Sequence, residues 1–528
     1  MKKWHSWKPE YATEKFDVII IGSGISGLTS GVLLSKYGKR VLILEKHFKV
    51  GGWTHTFKRK NYEWDVGIHY IGEVHNLQSP VRRLFDILSD GQLEWHKMND
   101  NYDRIIFPDN HYNFNAPYTR FIDDMVEYFP GTRDKFQEYL QMINASVKNG
   151  LPFYANKALP NWLSRLTYNK MANPFHKYAD VTTREVIMKI FDDEQILGVL
   201  TGQWGDYGLP PSQSSFAMHA LVVRHYLDGG NYPIGTSRRI AETVTDYIEK
   251  MDGKIYVNAG VDEIITERGK AIGVRMSNGD EIKAPMLISS AGIMNTFGKL
   301  LKSDSKFDVF KNKLKKITPT FSYHSLYIGL NKSSEELNLQ NTNLWIYPGY
   351  DHDKNVNDYF EDSSAPLPVT YLSFPAAKDP AAEIAHPGFS TMEAITVANW
   401  SDFSRWKDLP WKKRGEAYEN HKEELSQKLL KTVYEYVPQA KDALDYHELS
   451  TPLTVNSLAN YPEGEMYGIE HSPDRFRQRW LRPQTDIKNL FLTGQDVITV
   501  GVTAAMYSGL VTASAILKKN LIKDFLGK

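Results

Sequence analysis

Cysteine is absent from this chain of 528 residues. Its absence excludes disulfide bonds, metal sites with thiolate ligands, thiol nucleophiles and a flavin attached through a cysteinyl bond. Long apolar runs are also missing, because no stretch reaches the roughly 18 residues that a membrane-spanning helix requires. Residues 1–15 contain no apolar segment, so we expect no secretory signal and predict a location in the cytoplasm or on the periphery of a membrane.

An excess of charge of either sign is missing as well. The 63 Lys and Arg residues equal the 63 Asp and Glu residues, which gives a formal net charge of zero. A neutral chain has no bulk attraction for a polyanion, so no nucleic-acid partner is expected. His69, Tyr70, Glu73 and His75 cluster without the spacing of a known metal motif. We therefore predict no metal site and interpret His69 and Tyr70 as walls of a cofactor site.

A dinucleotide-binding pattern lies near the start of the chain. Two apolar runs, 18–21 and 41–44, predict buried parallel strands, and a glycine turn and a helical pattern lie between them. Gly22 permits a tight turn, Gly24 lets a pyrophosphate approach the backbone, and Gly27 lets the helix pack closely on the sheet. The free N–H groups at the start of that helix favour the same pyrophosphate.

An acidic residue completes this pattern. Glu45 follows the second apolar run, 23 residues after Gly22. Its carboxylate can accept hydrogen bonds from a ribose 2′-hydroxyl and would repel a phosphate there, which predicts FAD or NAD rather than NADP. The alternative, an ordinary strand-to-helix turn, is disfavoured because both strands, the helix and the acid are in place.

Similar signals return later in the chain. A glycine-rich turn at 229–235 precedes a predicted helix, and a predicted strand at 489–493 is followed by Gly494, Asp496 and a small-residue helix at 502–517. An acid in that place can bind ribityl hydroxyls, and the N-terminus of the last helix can direct its dipole at a flavin pyrimidine. The first and last segments therefore predict a discontinuous cofactor domain.

The expected fold class is α/β, with a Rossmann-type domain, an α+β substrate domain and a helical lid. Alternating strand and helix patterns in the third quarter of the chain favour the substrate domain. Loops are predicted inside the lid at 108–117 and 160–174. The predicted division is a cofactor domain at 1–80, 225–300 and 446–528, a lid or membrane-facing region at 81–224 and a substrate domain at 301–445.

Residues 151–180 combine aromatic and aliphatic side chains with basic ones. Lys157, Arg165, Lys170 and Lys177 are opposed by a single acid in this stretch. Apolar and cationic side chains together suit the interface of an anionic membrane, so we expect peripheral membrane contact there. The alternative, a lid packed on the substrate domain, stays open.

Two residues are candidates for proton transfer. Tyr467 and His471 lie in a polar, glycine-bracketed group at 464–471. Either side chain can donate a proton to a substrate carbanion. A structural turn with a satisfied histidine remains the alternative for this segment.

Several motifs occur together and in a fixed order. They are GGWTHTF at 51–57, DVGIHYIG at 65–72, YPIG at 232–235, SFPAAKDP at 373–380 with HPG at 386–388, YG at 467–468 with His471, and LTGQD at 492–496. This set resembles the phytoene desaturase-like flavoproteins, and GIHYIG and LTGQD resemble their retinol saturase branch in particular. The chain departs from broader relatives at Trp53, where many have Arg or Lys, so a phosphate contact from a basic side chain there is in doubt.

The resemblance implies an FAD domain of the amine-oxidase type, a long apolar tunnel for a polyene and hydride exchange through flavin N5. It also implies that the strand after the second glycine turn contacts adenine through its backbone. The FAD contacts predicted from the motifs are Gly22, Ser23, Gly24, Gly27, Glu45, Lys46, Gly51, Gly52, Thr54, Asp65, Gly67, Val261, Gly494, Asp496 and Val502.

The function expected from this resemblance is the FAD-dependent saturation of one double bond of a conjugated polyene lipid such as retinol. Polyene desaturation and cis–trans isomerisation use the same kind of site and stay open, as does a prenyl-lipid carrier of the GDP-dissociation-inhibitor or escort type. A second complete GxGxxG unit is missing. We therefore expect electrons from an external donor or from transiently bound NAD(P)H.

Overall fold

The computed structural model describes residues 4–302 and 307–526. The strands are β1 His5–Ser6, β2 Val18–Ile21, β3 Val41–Leu44, β4 Thr56–Arg59, β5 Tyr62–Asp65, β6 Ile71–Gly72, β7 Trp95–Lys97, β8 Asn101–Ile106, β9 His111–Asn115, β10 Gly230–Pro233, β11 Lys254–Val257, β12 Val261–Glu267, β13 Lys270–Met276, β14 Glu281–Lys283, β15 Met286–Ser289, β16 Ser322–Leu330, β17 Asn343–Ile346, β18 Thr370–Ser373, β19 Ser390–Ala398, β20 Leu444–Ser450 and β21 Leu490–Leu492.

The helices are α1 Ile25–Lys36, α2 Pro80–Ser89, α3 Phe121–Tyr128, α4 Arg133–Ala158, α5 Asn161–Ala179, α6 Thr183–Phe191, α7 Glu194–Leu200, α8 Phe216–Tyr226, α9 Arg238–Lys250, α10 Ile293–Asn295, α11 Asp308–Leu314, α12 His352–Glu361, α13 Pro375–Lys378, α14 Ala382–Ala385, α15 Glu416–Tyr436, α16 Pro452–Ala459, α17 Pro473–Arg477, α18 Val502–Leu517 and α19 Leu521–Leu526.

A six-stranded parallel sheet forms the centre of the cofactor unit, in the order β1-β11-β3-β2-β15-β21. Every residue of β2 and β3 is buried, as expected for strands of a parallel sheet with helices on both faces. The beginning, the middle and the end of the chain each contribute strands. The predicted discontinuous Rossmann-type fold is therefore confirmed.

Helices α1 and α18 bring the first and last segments into direct contact. A Cβ atom added at Gly509 of α18 would lie 2.5 Å from the carbonyl oxygen of Ser26 in α1. Only glycine allows so close a backbone approach. The small-residue composition of α18 thus positions the last strand and its turn beside the first glycine turn.

A seven-stranded mixed sheet forms the second layer, in the order β20-β16-β19-β18-β17-β8-β9. Every residue of its long strand β16 is buried. Leu326 and Ile328 of β16 pack with Leu429 and Val433 of α15 in one apolar cluster. The other face of β16 is turned toward the cofactor unit, so this strand separates the substrate-domain core from the candidate site.

Two local predictions inside residues 81–224 were wrong. The predicted loop at 108–117 contains β9, which joins the large sheet beside β8, so this region is not purely helical. Tyr112 and Phe114 alternate with polar residues in β9, and the flanking prolines obscured that period of two. The predicted loop at 160–174 is instead most of α5, where burial of Phe175 and its neighbours outweighs the cost of an internal proline.

Helices α4 and α5 form an antiparallel hairpin that packs against α8 and against the cofactor unit. In the part of the chain that the structure describes, no helix is both long enough and apolar enough to cross a membrane.

Candidate active site

A cavity of about 800 Å³ lies between the carboxyl edge of the parallel sheet and the face of β16. Its walls include the turns that follow β2, β3, β15 and β21. In open parallel sheets, ligands bind at this edge because the loops and helix N-termini converge there. The cavity is therefore the candidate cofactor site.

The first glycine turn forms one wall of this cavity. Gly22 has φ of +93°, and its N–H donates to the carbonyl oxygen of Leu44, which holds the turn between β2 and α1 against the end of β3. A Cβ atom added at Gly24 would meet only the hydroxyl of Ser290, at 3.7 Å, and would otherwise extend into the cavity. Gly27 does not line the cavity, and a Cβ there would lie 2.6 Å from the carbonyl oxygen of Gly22. Gly24 thus leaves room for a ligand, whereas Gly27 allows the helix to pack.

A hydrogen-bond network holds Glu45 beside this turn. One carboxylate oxygen of Glu45 accepts from the backbone N–H of Ser23 at 2.9 Å and from the Ser23 hydroxyl, and the other accepts from the N–H of His47 at 2.8 Å. The Ser23 hydroxyl also accepts from the N–H of Gly51 at 3.1 Å. The predicted ribose acid, the first glycine turn and the second glycine pair are therefore fixed to one another.

The second glycine pair lies directly against the first turn. Gly51 and Gly52 have φ of +119° and +56°, and Gly51 pairs with Gly24 in an isolated β-bridge. Thr54 donates its hydroxyl to the carbonyl oxygen of Gly51 at 2.9 Å and closes this segment. The two turns together form a backbone cradle without side chains, which is suited to a pyrophosphate.

Three further predicted contacts also line the cavity. Lys46 extends from the end of β3 and donates to Asn460 at 2.7 Å, and Val261 begins β12. Gly67 lies against Trp53, where a Cβ would come within 3.1 Å of the indole. Trp53 therefore stands where broader relatives have a basic side chain, and it packs closely on Gly67.

The late segment also lines the cavity. Asp496 accepts from the N–H of Ile293 at 2.8 Å and from the N–H of Ile469 at 3.3 Å. Gly494 has φ of +117°, and Val502 begins α18 at the cavity wall. The start of α18 and the carboxylate of Asp496 are thus on the wall where the sequence predicts the flavin end of the cofactor.

Asp65 is placed away from the cavity. Its carboxylate is buried, accepts from the N–H of Ser237 at 3.0 Å and accepts from the hydroxyl of Tyr232. Burial, with the nearby charge of Glu393, raises the pKa of Asp65 to about 6. Through these contacts Asp65 joins β5 to the start of α9. The contact between Asp65 and FAD stays a prediction.

The two candidates for proton transfer differ in position. Tyr467 lines the cavity, and its ring packs edge-on against Tyr323 with the ring centroids 5.5 Å apart. His471 is fully buried outside the cavity lining, and its Nε2 accepts from the N–H of Val500 at 3.0 Å. Burial, and then the charge of Arg475, lowers the pKa of His471 well below its usual value. The geometry therefore favours Tyr467 as the proton donor. The contact of His471 with Val500 instead holds the loop before α18.

Sequence reasoning missed several cavity residues. Tyr323, Ser325 and Tyr327 line the cavity from alternate positions of β16. Their period of two was visible in the sequence, but the face of the strand that meets the cofactor unit was not. Lys299 and Tyr461 also line the cavity and belong to no motif that predicted them.

Arg475 was missed as well, although it supports both loops of the late wall. Its buried guanidinium donates to the carbonyl oxygens of Ile469, Gln495 and Ile498 at 2.9, 2.5 and 3.2 Å. Burial lowers the pKa of Arg475 to about 10. One side chain thus ties the segment of Tyr467 to the segment of Asp496.

A buried polar cluster brings together two of the sequence motifs. The Tyr70 hydroxyl lies 2.8 Å from a carboxylate oxygen of Asp103 and 3.3 Å from one of Asp206, and Lys378 donates to the carbonyl oxygen of His69 at 2.9 Å. Burial and the charge of Asp103 raise the pKa of Asp206 to about 8, and burial lowers the pKa of Lys378 to about 7. His69 and Tyr70 do not line the candidate site. The prediction that they form its walls was therefore wrong.

Solved structures share this architecture. Putrescine oxidase superposes with a TM-score of 0.62 at 14% identity, over 96% of this chain and 100% of that one. Cyclohexylamine oxidase from Brevibacterium oxydans gives 0.59 at 16% identity, over 96% and 100%, and Rab GDI from Plasmodium falciparum gives 0.51 at 13%, over 96% and 99%. Residues 20–88 match the family of NAD(P)-binding Rossmann-like domains. The fold and the site define a protein with a Rossmann-type dinucleotide-binding domain.

Relatives that match over most of their length identify the family. All-trans-retinol 13,14-reductase of Danio rerio is 36% identical, over 96% of this chain and 87% of the relative, and that of Homo sapiens is 33% identical, over 97% and 87%. Prolycopene isomerase 1 of an Oncidium hybrid cultivar is 25% identical, over 95% and 83%. The chain belongs to the all-trans-retinol 13,14-reductase family, which confirms the resemblance seen in its motifs.

Proposed function

We propose that this protein is an FAD-dependent oxidoreductase that saturates one double bond of a conjugated polyene lipid such as retinol. The proposal rests on one observation: a single cavity is lined by the glycine turns on one part and by apolar and aromatic side chains on another. Its glycine-lined part is a backbone cradle at helix N-termini, and its other part is apolar and aromatic, with Phe57, Tyr323, Met466, Tyr467 and Val500. A flavin and a polyene that share this cavity would be in contact.

The residues present fit FAD. Gly24 leaves open the space that a pyrophosphate needs, because a Cβ there would enter the cavity. The carboxylate of Glu45 would hold a ribose, and Asp496 would hold ribityl hydroxyls beside the start of α18. When bound and reduced, FAD supplies a hydride to one carbon of the double bond. The electrons for that reduction come, in this proposal, from an external donor or from transiently bound NAD(P)H.

The protein must also supply a proton to the other carbon, and we assign this step to Tyr467. Burial, and then the charge of Asp206, raises the pKa of Tyr467, so the phenol keeps its proton until a substrate carbanion accepts it. Among the described residues, no group forms a hydrogen bond with its hydroxyl, so the proton is not committed to another acceptor.

Tyr467→Phe is expected to lower the rate of polyene reduction by about 100-fold or more, because a positioned acid contributes that much to proton transfer. The measurement is product formation under saturating substrate, together with the amount of FAD retained. Tyr323→Phe is the matched control, since Tyr323 lines the same cavity but its hydroxyl donates to the carbonyl oxygen of Gly205 at 3.0 Å. Equal rates for the two variants would remove Tyr467 from the proposed role.

The function itself is tested by anaerobic single turnover. Chemically reduced holoprotein is mixed with all-trans-retinol, and the products are analysed by mass spectrometry. We expect a product heavier by two hydrogen atoms, with loss of part of the conjugated absorbance and reoxidation of the flavin. If the recovered retinol has an unchanged mass but an altered ratio of isomers, the reaction is isomerisation and not reduction. A colourless protein that takes up no FAD and returns the lipid unchanged would indicate a carrier.

A further inference from the structure

A second cavity lies outside the candidate active site. It has a volume of about 440 Å³ and lies between the α4–α5 hairpin and the segment 476–486. Its charged lining is strongly unbalanced, with several cations against the single carboxylate of Asp486. The cations are Lys157, Arg165, Lys313, Arg479 and Arg482.

The three arginines of this cavity lack counter-ions. Among the described residues, Arg165, Arg479 and Arg482 form no ion pair, whereas Lys313 lies 3.6 Å from Asp486. Arg479 stacks on the ring of Tyr168, with its guanidinium carbon 3.9 Å from the centroid. That contact orients the guanidinium and leaves its N–H groups available to an anion.

Arg482, which also lines the cavity, is largely buried and has no ion-pair partner among the described residues. It is 9% exposed, it donates through Nη2 to the carbonyl oxygens of Lys157 and Leu159, and its buried Nε has no partner. Burial, and then the charges of Arg165 and Arg479, lowers its pKa to about 10. An anion in the cavity would relieve the repulsion among the three arginines.

An exposed apolar face adjoins the cavity on the same helix. Trp162 and Leu166 lie one turn apart on α5 and are 69% and 76% exposed. Ser164, Arg165 and Tyr168, on the neighbouring face of α5, line the cavity. A helix that carries exposed apolar side chains beside unpaired cations has the pattern of a membrane-interface helix.

We propose that this cavity receives the phosphate headgroup of an anionic phospholipid while Trp162 and Leu166 enter the membrane interface. Charge complementarity identifies the occupant, because unpaired guanidinium groups suit phosphate oxygens and the adjoining apolar side chains suit acyl chains. A soluble phosphate would use the arginines but would leave the apolar face in water. The inference does not depend on the redox reaction.

The test is co-sedimentation of the FAD-loaded full-length protein with vesicles. Vesicles of phosphatidylcholine mixed with phosphatidylglycerol are compared with vesicles of phosphatidylcholine alone. We expect binding to the anionic vesicles, and we expect Arg165→Gln and Arg479→Gln each to weaken it about fivefold. The double variant Trp162→Ser/Leu166→Ser is expected to weaken it more than tenfold, since it removes two large apolar side chains from the interface.

Two control variants match these changes elsewhere on the surface. Arg268→Gln removes an exposed arginine in the turn between β12 and β13, and Ile384→Ser removes an apolar side chain that is 84% exposed. Neither should alter vesicle binding. Retained flavin and an unchanged circular dichroism spectrum show that each variant is folded.

Two outcomes would overturn the proposal. In the first, anionic vesicles bind the native protein and all variants alike. In the second, anionic vesicles do not bind the native protein. If inorganic phosphate then raises the melting temperature of the native protein but not of Arg479→Gln, the cavity is a site for soluble phosphate.

Discussion

Gly24→Val is expected to weaken FAD binding by at least about 100-fold while the apoprotein remains folded. Gly24 has ordinary backbone angles for any residue, with φ of −59° and ψ of 160°, and an added Cβ would meet nothing closer than 3.7 Å. The isopropyl group would occupy the space of the pyrophosphate and displace it from the N–H groups at the start of α1. Loss of two charge-assisted hydrogen bonds corresponds to at least about a 100-fold weaker affinity.

The measurement is FAD titration of the apoprotein, combined with its melting temperature. Gly27→Val is the contrasting variant, because its Cβ would lie 2.6 Å from the carbonyl oxygen of Gly22 and must disturb the packing of α1. We expect Gly27→Val to lower the melting temperature of the apoprotein. Gly298→Ala, at an exposed position close to the cavity but outside its lining, should change neither property. Native FAD affinity in Gly24→Val would show that the first glycine turn does not hold the pyrophosphate.

Arg475→Ala is expected to destabilise the protein by about 3 kcal/mol, since three carbonyl oxygens lose their donor and each such loss costs on the order of 1 kcal/mol or more. These carbonyls belong to Ile469, Gln495 and Ile498, on the two loops of the late cavity wall. A lower midpoint of urea unfolding measures the loss of stability. We also expect weaker FAD binding, because the loop of Asp496 loses its tie to the loop of Tyr467.

Arg477→Ala is the matched control for this substitution. Arg477 lies two residues away on the same short helix, is 52% exposed, and forms surface ion pairs with Asp180 and Asp474. Exposed pairs contribute little, so a change of less than about 1 kcal/mol is expected. If the two variants unfold at the same urea concentration, the buried guanidinium does not support the cavity wall.

Local signals were sufficient to predict the first part of the site. The turn at Gly22, the helix after Gly24 and the acid at Glu45 lie within one continuous stretch, and each is specified by its immediate neighbours. The predicted helix at 502–517 has the observed bounds of α18 for the same reason, because its apolar and small residues follow one helical pattern without a break. Such features depend on backbone geometry over a few residues.

Other local signals were ambiguous, and packing decided them. Prolines at both ends of 108–117 indicated a loop, but the alternation of Tyr112 and Phe114 was realised as β9 once β8 was beside it. Likewise, Tyr467 and His471 were equivalent candidates in the sequence. The tertiary structure distinguishes them, because Tyr467 lines the cavity whereas His471 accepts a hydrogen bond from Val500.

By itself, the sequence determined a dinucleotide fold and a family, because these depend on motifs of contiguous residues. Only the tertiary structure placed Asp65 against Ser237, Arg475 between two loops, and Arg165 beside Arg479 across a cavity. In each case the partners are distant in the chain, and long-range pairing is fixed by how the buried faces of helices and sheets fit together. No pattern along a single sequence records that fit.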